Sequence, residues 1–208
     1  MVSGCLARIV YSDVKHNFLI HYIVAVCVLL VSPVFFSLSM LDSVLAAQPL
    51  EVFVPLIGIV LMTPVFLPEQ NDSIYDVVRS RKVDHNIVCI LRLLFSVIIA
   101  AVMIGAYVLF MKHCDSDVTI KHFIGSFANA FILGAVGFTF AGLSRNVIIG
   151  YMASVIYYML NFTLGTKLKD FYLFSMIHGG FEEKKCLLIV ASVLIIFTLT
   201  SRKLIYSR

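Results

Sequence analysis

Long apolar runs separated by short polar intervals set the plan of this chain. Residues 18–40, 52–67, 87–111, 122–143, 147–164 and 186–200 are largely apolar, and a helix needs ~20 such residues to cross the hydrocarbon core of a bilayer. Six membrane-spanning helices are therefore predicted. The run at 52–67 is the shortest and holds Pro55, Gly58 and Pro64. Such residues are tolerated at membrane depth where neighbouring helices satisfy the freed backbone groups, which places this span inside the bundle. The run at 122–143 carries Gly125, Ser126, Ala130, Gly134, Gly137 and Gly142, small residues that let helices approach closely.

The polar intervals predict further elements. In residues 1–17, Leu6, Val10 and Val14 recur every four residues while Arg8, Ser12 and Lys15 point elsewhere, the pattern of an interfacial helix lying on a membrane. A cleaved signal peptide competes with this, since Ala46-Ala47 resembles a cleavage site, but the run at 18–40 is too long for such a segment. Residues 165–185 enclose an apolar patch at 171–177 that is too brief to cross. It is read as a re-entrant or interfacial hairpin turned at Gly179-Gly180.

The longest polar interval is 68–85, PEQNDSIYDVVRSRKVDH. Its inner part, 72–83, fits a short amphipathic helix: Asn71 or Asp72 caps it, Asp72 and Asp76 lie at its positive end, and Arg79, Arg81 and Lys82 lie toward the other. Ile74, Val77 and Val78 share one face. Two readings stay open on composition: a docking element, or a juxtamembrane loop whose basic residues fix orientation and touch anionic lipid.

Composition agrees with a membrane protein. Hydrophobic residues make up 61% of the 208 and charged residues 13%, with a mean hydropathy of +1.00, so the fold class is all-α and polytopic, one transmembrane domain over 1–208. The net charge of +4 is spread over the gaps between runs, which argues against a nucleic-acid surface. The five cysteines show no ligand or disulfide spacing, so no metal site is expected and they read as small apolar residues. Arg92 lies close enough to a span end to snorkel. With six spans, one side receives ten Lys and Arg, including every Arg, and the other six. The positive-inside rule then puts both termini, the 68–85 element and the Ser144-Arg145-Asn146 turn in the cytoplasm.

This layout resembles the membrane subunits of type-2 ABC exporters, in which permease and ATPase are often separate polypeptides. The resemblance covers the chain: an interfacial helix at 1–17, six spans, a coupling helix in PEQNDSIYDVVRSRK, a tight turn at SRN, and a re-entrant segment before the last span. In the coupling region Glu69 and Ser73-Ile74 loosely correspond to the family pattern, whose glycine is missing here. The resemblance implies a bacterial plasma-membrane permease, multi-pass, that exports a hydrophobic or amphipathic peptide, lipid or drug. No GxxxxGK[ST] loop occurs in the sequence, so ATP and magnesium would belong to a partner ABC ATPase and the chain itself would be no enzyme and carry no cofactor. Asp72, Ile74, Asp76, Val77, Val78, Arg79 and Arg81 would couple to that ATPase. A second permease copy or a paralogue would complete the path, with Asn129, Tyr157, Tyr158 and Asn161 as candidates to line it. Taken singly, helix–helix hydrogen bonding and interface anchoring are the plainer roles for those four.

Two other classes compete. An intramembrane enzyme needs facing nucleophile, base or metal ligands; Glu182-Glu183 is the nearest pair, without the accompanying motifs, and the histidines fall mostly at span ends or in loops. A channel, immunity protein or scaffold would use the same helices without nucleotide coupling.

Overall fold

The computed structural model describes residues 18–36, 38–70 and 85–206. The expected interfacial helix at 1–17 lies outside them, as do the seven coupling candidates Asp72, Ile74, Asp76, Val77, Val78, Arg79 and Arg81. The described elements are α1 (Leu19–Phe35), α2 (Ser43–Val52), α3 (Leu56–Met62) continued by a 3-10 helix (Thr63–Gln70), α4 (His85–His113), α5 (Ile120–Ser144), α6 (Val147–Leu164), two short 3-10 pieces (Gly165–Phe171 and Met176–His178) and α7 (Glu183–Tyr206). Among the described residues, five stretches, against the six spans expected, are long and apolar enough to cross a membrane: Ser43–Pro68, Ile87–His113, Ile120–Ser144, Val147–Phe171 and Glu183–Arg202. α1 is equally apolar but has 17 residues, about 26 Å at 1.5 Å per residue. The protein is thus an all-α polytopic membrane protein.

Two boundaries correct the sequence expectation. The second span starts at Ser43, not at residue 52, and the last starts at Glu183, not at residue 186. Both shifts bring a charged residue, Glu51 and Lys184, into a helix that hydropathy had ended before it. Arg92 is also corrected: it is 6% exposed and buried among the helices, where snorkelling to solvent was expected.

Hydrogen bonds fix the direction of each helix. Ser32 Oγ lies 2.7 Å from Tyr107 Oη and the Met40 N–H donates to the Cys114 carbonyl, so α1 and α4 end together. Ser116 Oγ donates to the Leu38 carbonyl at the same place. α2 and α3 run alongside α5, with Ser126 near Leu50 and Gly58 against Ala130. α7 runs the same way, since Lys184 reaches Asn129 and Thr198 reaches Thr139. α6 runs opposite, Ser154 Oγ donating to the Leu133 carbonyl. Successive passes therefore alternate, and the connections at 36–42, 114–119 and 165–182 gather at one end, called here the loop end.

α5 is the central helix, packing most extensively against α6 and α7. Its small residues do what their spacing predicts. A Cβ added at Gly58 would sit 1.9 Å from the Ala130 carbonyl oxygen, so only glycine permits this backbone contact. Gly150 of α6 is also too close for a side chain, a Cβ there falling 2.5 Å from the Gly137 carbonyl oxygen. Large apolar side chains such as Ile20, Leu94, Met152 and Ile196 cover the outside, the distribution expected where lipid is the solvent.

The break between α2 and α3 shows why proline is tolerated in this span. The Val54 N–H bonds back to the Pro49 carbonyl, and Pro55 has no N–H to offer. Two carbonyls at the break are taken by neighbours instead: Ser126 Oγ donates to Leu50 at 2.7 Å and Tyr158 Oη to Val52 at 2.6 Å.

Candidate functional site

At the loop end, five side chains from four helices converge on the short segment between α6 and α7. The chain leaves α6 through Gly165 (φ 54) and Lys169 (φ 46), extends at Tyr172, buries Leu173, Phe174, Ser175 and Met176, and turns at Gly179 (φ 78). The positive-φ conformations mark both ends of the segment, and the turn falls where the glycine pair predicts it. Phe174 packs among the rings of Tyr158, Phe162 and Tyr172.

The segment pairs only part of its own backbone, the N–H groups of Tyr172, His178, Gly179 and Gly180 bonding to carbonyls within it, and every unpaired polar group in an apolar setting costs several kcal/mol. Side chains answer that need. The carboxylate of Glu51 accepts the Met176 N–H at 2.9 Å on Oε1 and the Ile177 N–H at 3.0 Å on Oε2. Asn161 Oδ1 accepts the Leu173 N–H at 2.9 Å, while its Nδ2 donates to the Tyr157 carbonyl one turn back. Asn129 Nδ2 donates to the Leu173 carbonyl at 2.8 Å. Tyr157 Oη donates to the Phe171 carbonyl at 3.0 Å.

Lys184 completes the arrangement. Its ammonium donates to Glu51 Oε1 at 2.6 Å, to Asn129 Oδ1 at 3.0 Å, and to the Leu173 carbonyl. An ammonium has three N–H bonds, and all three are used. Because it only donates, it also fixes which way the Asn129 amide points. Glu51 is fully buried and Lys184 is 2% exposed. Each charge sits at the unfavourable end of its own helix, Glu51 in the last turn of α2 and Lys184 in the first turn of α7, so the two helix dipoles add to the need for pairing. Outside the spans, burial and then the Glu51 charge hold the Tyr172 phenol above its ordinary range.

A second tie joins the same end. His122, 2% exposed, accepts the Thr119 N–H at Nδ1, which leaves Nε2 to donate to the Ser43 carbonyl at 3.0 Å. At the opposite end, Arg202 lies over the Phe66 ring at 4.2 Å.

The structure thus gathers Asn129, Tyr157, Tyr158 and Asn161, the four expected path residues, at one end of the bundle. Their polar atoms are engaged by the protein itself, three of them on the 171–173 backbone or the side chains that hold it, and Tyr158 on the break in the second span. Glu51 and Lys184 escaped the sequence reading, because each lies at the edge of an apolar run where a charged residue ordinarily marks a loop. Lys184 is further masked by its charged neighbours Glu182, Glu183 and Lys185, so only the isolated Glu51 carboxylate between two apolar stretches offered a signal. Glu182-Glu183 do not form a facing pair: Glu182 is exposed and bonds Lys185 at 2.9 Å. Among the described residues, no group of three or more His, Cys, Asp or Glu is placed to hold a metal ion.

Comparison with protein-family models, curated proteins and solved structures gives no match.

Proposed function

We propose that this chain is the membrane-spanning permease subunit of an ATP-driven exporter of the type-2 ABC kind, driven by a separate ATPase. The observation that carries the reading is the segment at 165–182. It folds back onto the loop end immediately before the last span and is held there by residues of four helices, in a bundle whose passes alternate. A re-entrant segment before the last span is one of the features that the resemblance to this family includes, beside the six apolar runs, the polar interval at 68–85 and the tight turn at 144–146.

In this reading the 68–85 element rests on the ATPase at the cytoplasmic face of a bacterial plasma membrane, with both chain termini on that side. Val77, Ile74 and Val78 supply the apolar contact, and Asp72, Asp76, Arg79 and Arg81 the charge complementarity. Binding of ATP and magnesium by the partner would move two permease chains, identical or paralogous, against each other. A hydrophobic or amphipathic substrate would then pass along the surface between them. Asn129, Asn161, Tyr157 and Tyr158 would support the wall of that path from within, consistent with their internal hydrogen bonds.

The test is affinity purification from detergent-solubilised membranes of the native host, with mass spectrometry and an ATPase assay of the eluate. An ABC ATPase should co-purify, and should be lost with Val77→Asp or with charge reversal at Arg79 and Arg81 while membrane insertion is kept. Recovery of the chain with no nucleotide-hydrolysing partner would overturn the reading in favour of a channel, immunity protein or scaffold.

A further inference from the structure

We infer that segment 170–180 is a hinged strap, and that the Lys184 ammonium, seated in an oxygen cage selective for a primary ammonium, is the latch that holds it closed. The inference goes beyond the transport reading and stands on the geometry alone. The cage consists of a carboxylate oxygen of Glu51, the amide oxygen of Asn129 and the backbone oxygen of Leu173. These three oxygens belong to three separate parts of the chain, and only the ammonium joins them all. Remove it, and the Glu51 charge faces Asn129 Oδ1 and the Leu173 carbonyl with no cation between.

The strap has the mechanics to move. Gly165 and Lys169 on one side and Gly179 on the other take positive-φ backbone conformations. A Cβ added at Gly165 or Gly179 would meet nothing within 4 Å; these glycines serve conformation and pack against nothing. Between the hinges, five backbone groups, the carbonyl of Phe171, the N–H and carbonyl of Leu173 and the N–H groups of Met176 and Ile177, are bonded to side chains of the surrounding helices.

Apolar packing of Leu173, Phe174 and Met176 does not by itself hold such a strap. That packing adds to the hold, but each buried backbone N–H or carbonyl left without a partner costs several kcal/mol, so the polar ties fix the position. Among those ties Lys184 is central, because it bonds the strap directly and also bonds Glu51 and Asn129, each of which bonds the strap in turn. A guanidinium is planar and too wide for three oxygens converging on one nitrogen, whereas a free primary ammonium matches them.

Ser175 offers a probe. It lies on the strap, is 3% exposed, and its hydroxyl has no hydrogen-bond partner, so Ser175→Cys places a thiol there with little disturbance. The experiment measures maleimide modification of that thiol, by peptide mass spectrometry, in the full chain in lipid nanodiscs. The thiol should react slowly with Lys184 present and about tenfold or more faster in Lys184→Ala. Methylammonium chloride should restore slow labelling in Lys184→Ala, and tetramethylammonium chloride, which has no N–H, should not. Lys184→Arg, which keeps the charge but whose planar guanidinium does not fit the three oxygens, should speed labelling by a smaller factor and decides the matter if Lys184→Ala does not fold. Unchanged labelling in these variants, or equal restoration by both cations, would overturn the inference.

Discussion

Lys184 Nζ lies 2.6 Å from Glu51 Oε1 across a sequence separation of 133 residues. This contact ties the second span to the last, and each partner is buried where a lone charge is strongly disfavoured. Removal of one member of such a pair costs about 3–5 kcal/mol, because the other is left uncompensated. Glu51→Leu and Lys184→Met should each lower thermal stability in detergent by that order, whereas the double variant should lose much less than the sum. Strictly additive losses, read from the fraction remaining monodisperse after heating, would show that the pair is not coupled.

Glycines of the bundle should respond to alanine with opposite signs. At Gly58 the new methyl meets the Ala130 backbone at 1.9 Å, and the central helix must move, at a cost of about 1–3 kcal/mol or more. Gly105 of α4 has only the Phe123 ring at 3.6 Å, ordinary contact, so alanine there gains up to about 1 kcal/mol through helix propensity. Gly58→Ala should therefore lower the unfolding temperature and Gly105→Ala raise it. A loss of stability at both positions would count against the packing described for α4.

The break between α2 and α3 should depend on its two hydroxyl donors. Tyr158→Phe and Ser126→Ala each strand a buried carbonyl, worth about 1–3 kcal/mol. Both should lower thermostability of the purified protein before any substrate is added. If Tyr158→Phe altered only transport selectivity, with stability unchanged, Tyr158 would be a path residue and the bond to Val52 incidental.

Arg202 over Phe66 offers a check at the other end of the bundle. Phe66→Leu keeps apolar volume but removes the ring face, so it should cost about 0.5–2 kcal/mol, compared with a smaller loss for Phe66→Tyr. Equal effects of Leu and Tyr would assign the loss to packing.

The all-helical membrane fold was legible in the sequence, since runs of about twenty apolar residues have few other stable outcomes in water or lipid. So was the role of the small residues in 122–143, because close helix approach depends on side-chain size and little else. The prolines at 55 and 64 placed the second span inside the bundle, and the turn at Gly179 followed from its glycines. These are local properties, carried by residue type and spacing.

What the tertiary structure alone decided is which polar groups meet. Hydropathy set the starts of two spans after Glu51 and Lys184, because a charged residue considered alone belongs in water. Paired with each other, and with the backbone of a segment whose bonds to Glu51 span 125 and 126 positions, both enter the protein. Asn129 and Asn161 are the same case: their amides could have faced a path, a neighbour or lipid headgroups. The chain folding back at 165–182 gave them the Leu173 backbone. Charge and amide chemistry are written in the sequence, whereas the partner that makes their burial affordable is supplied only by the fold.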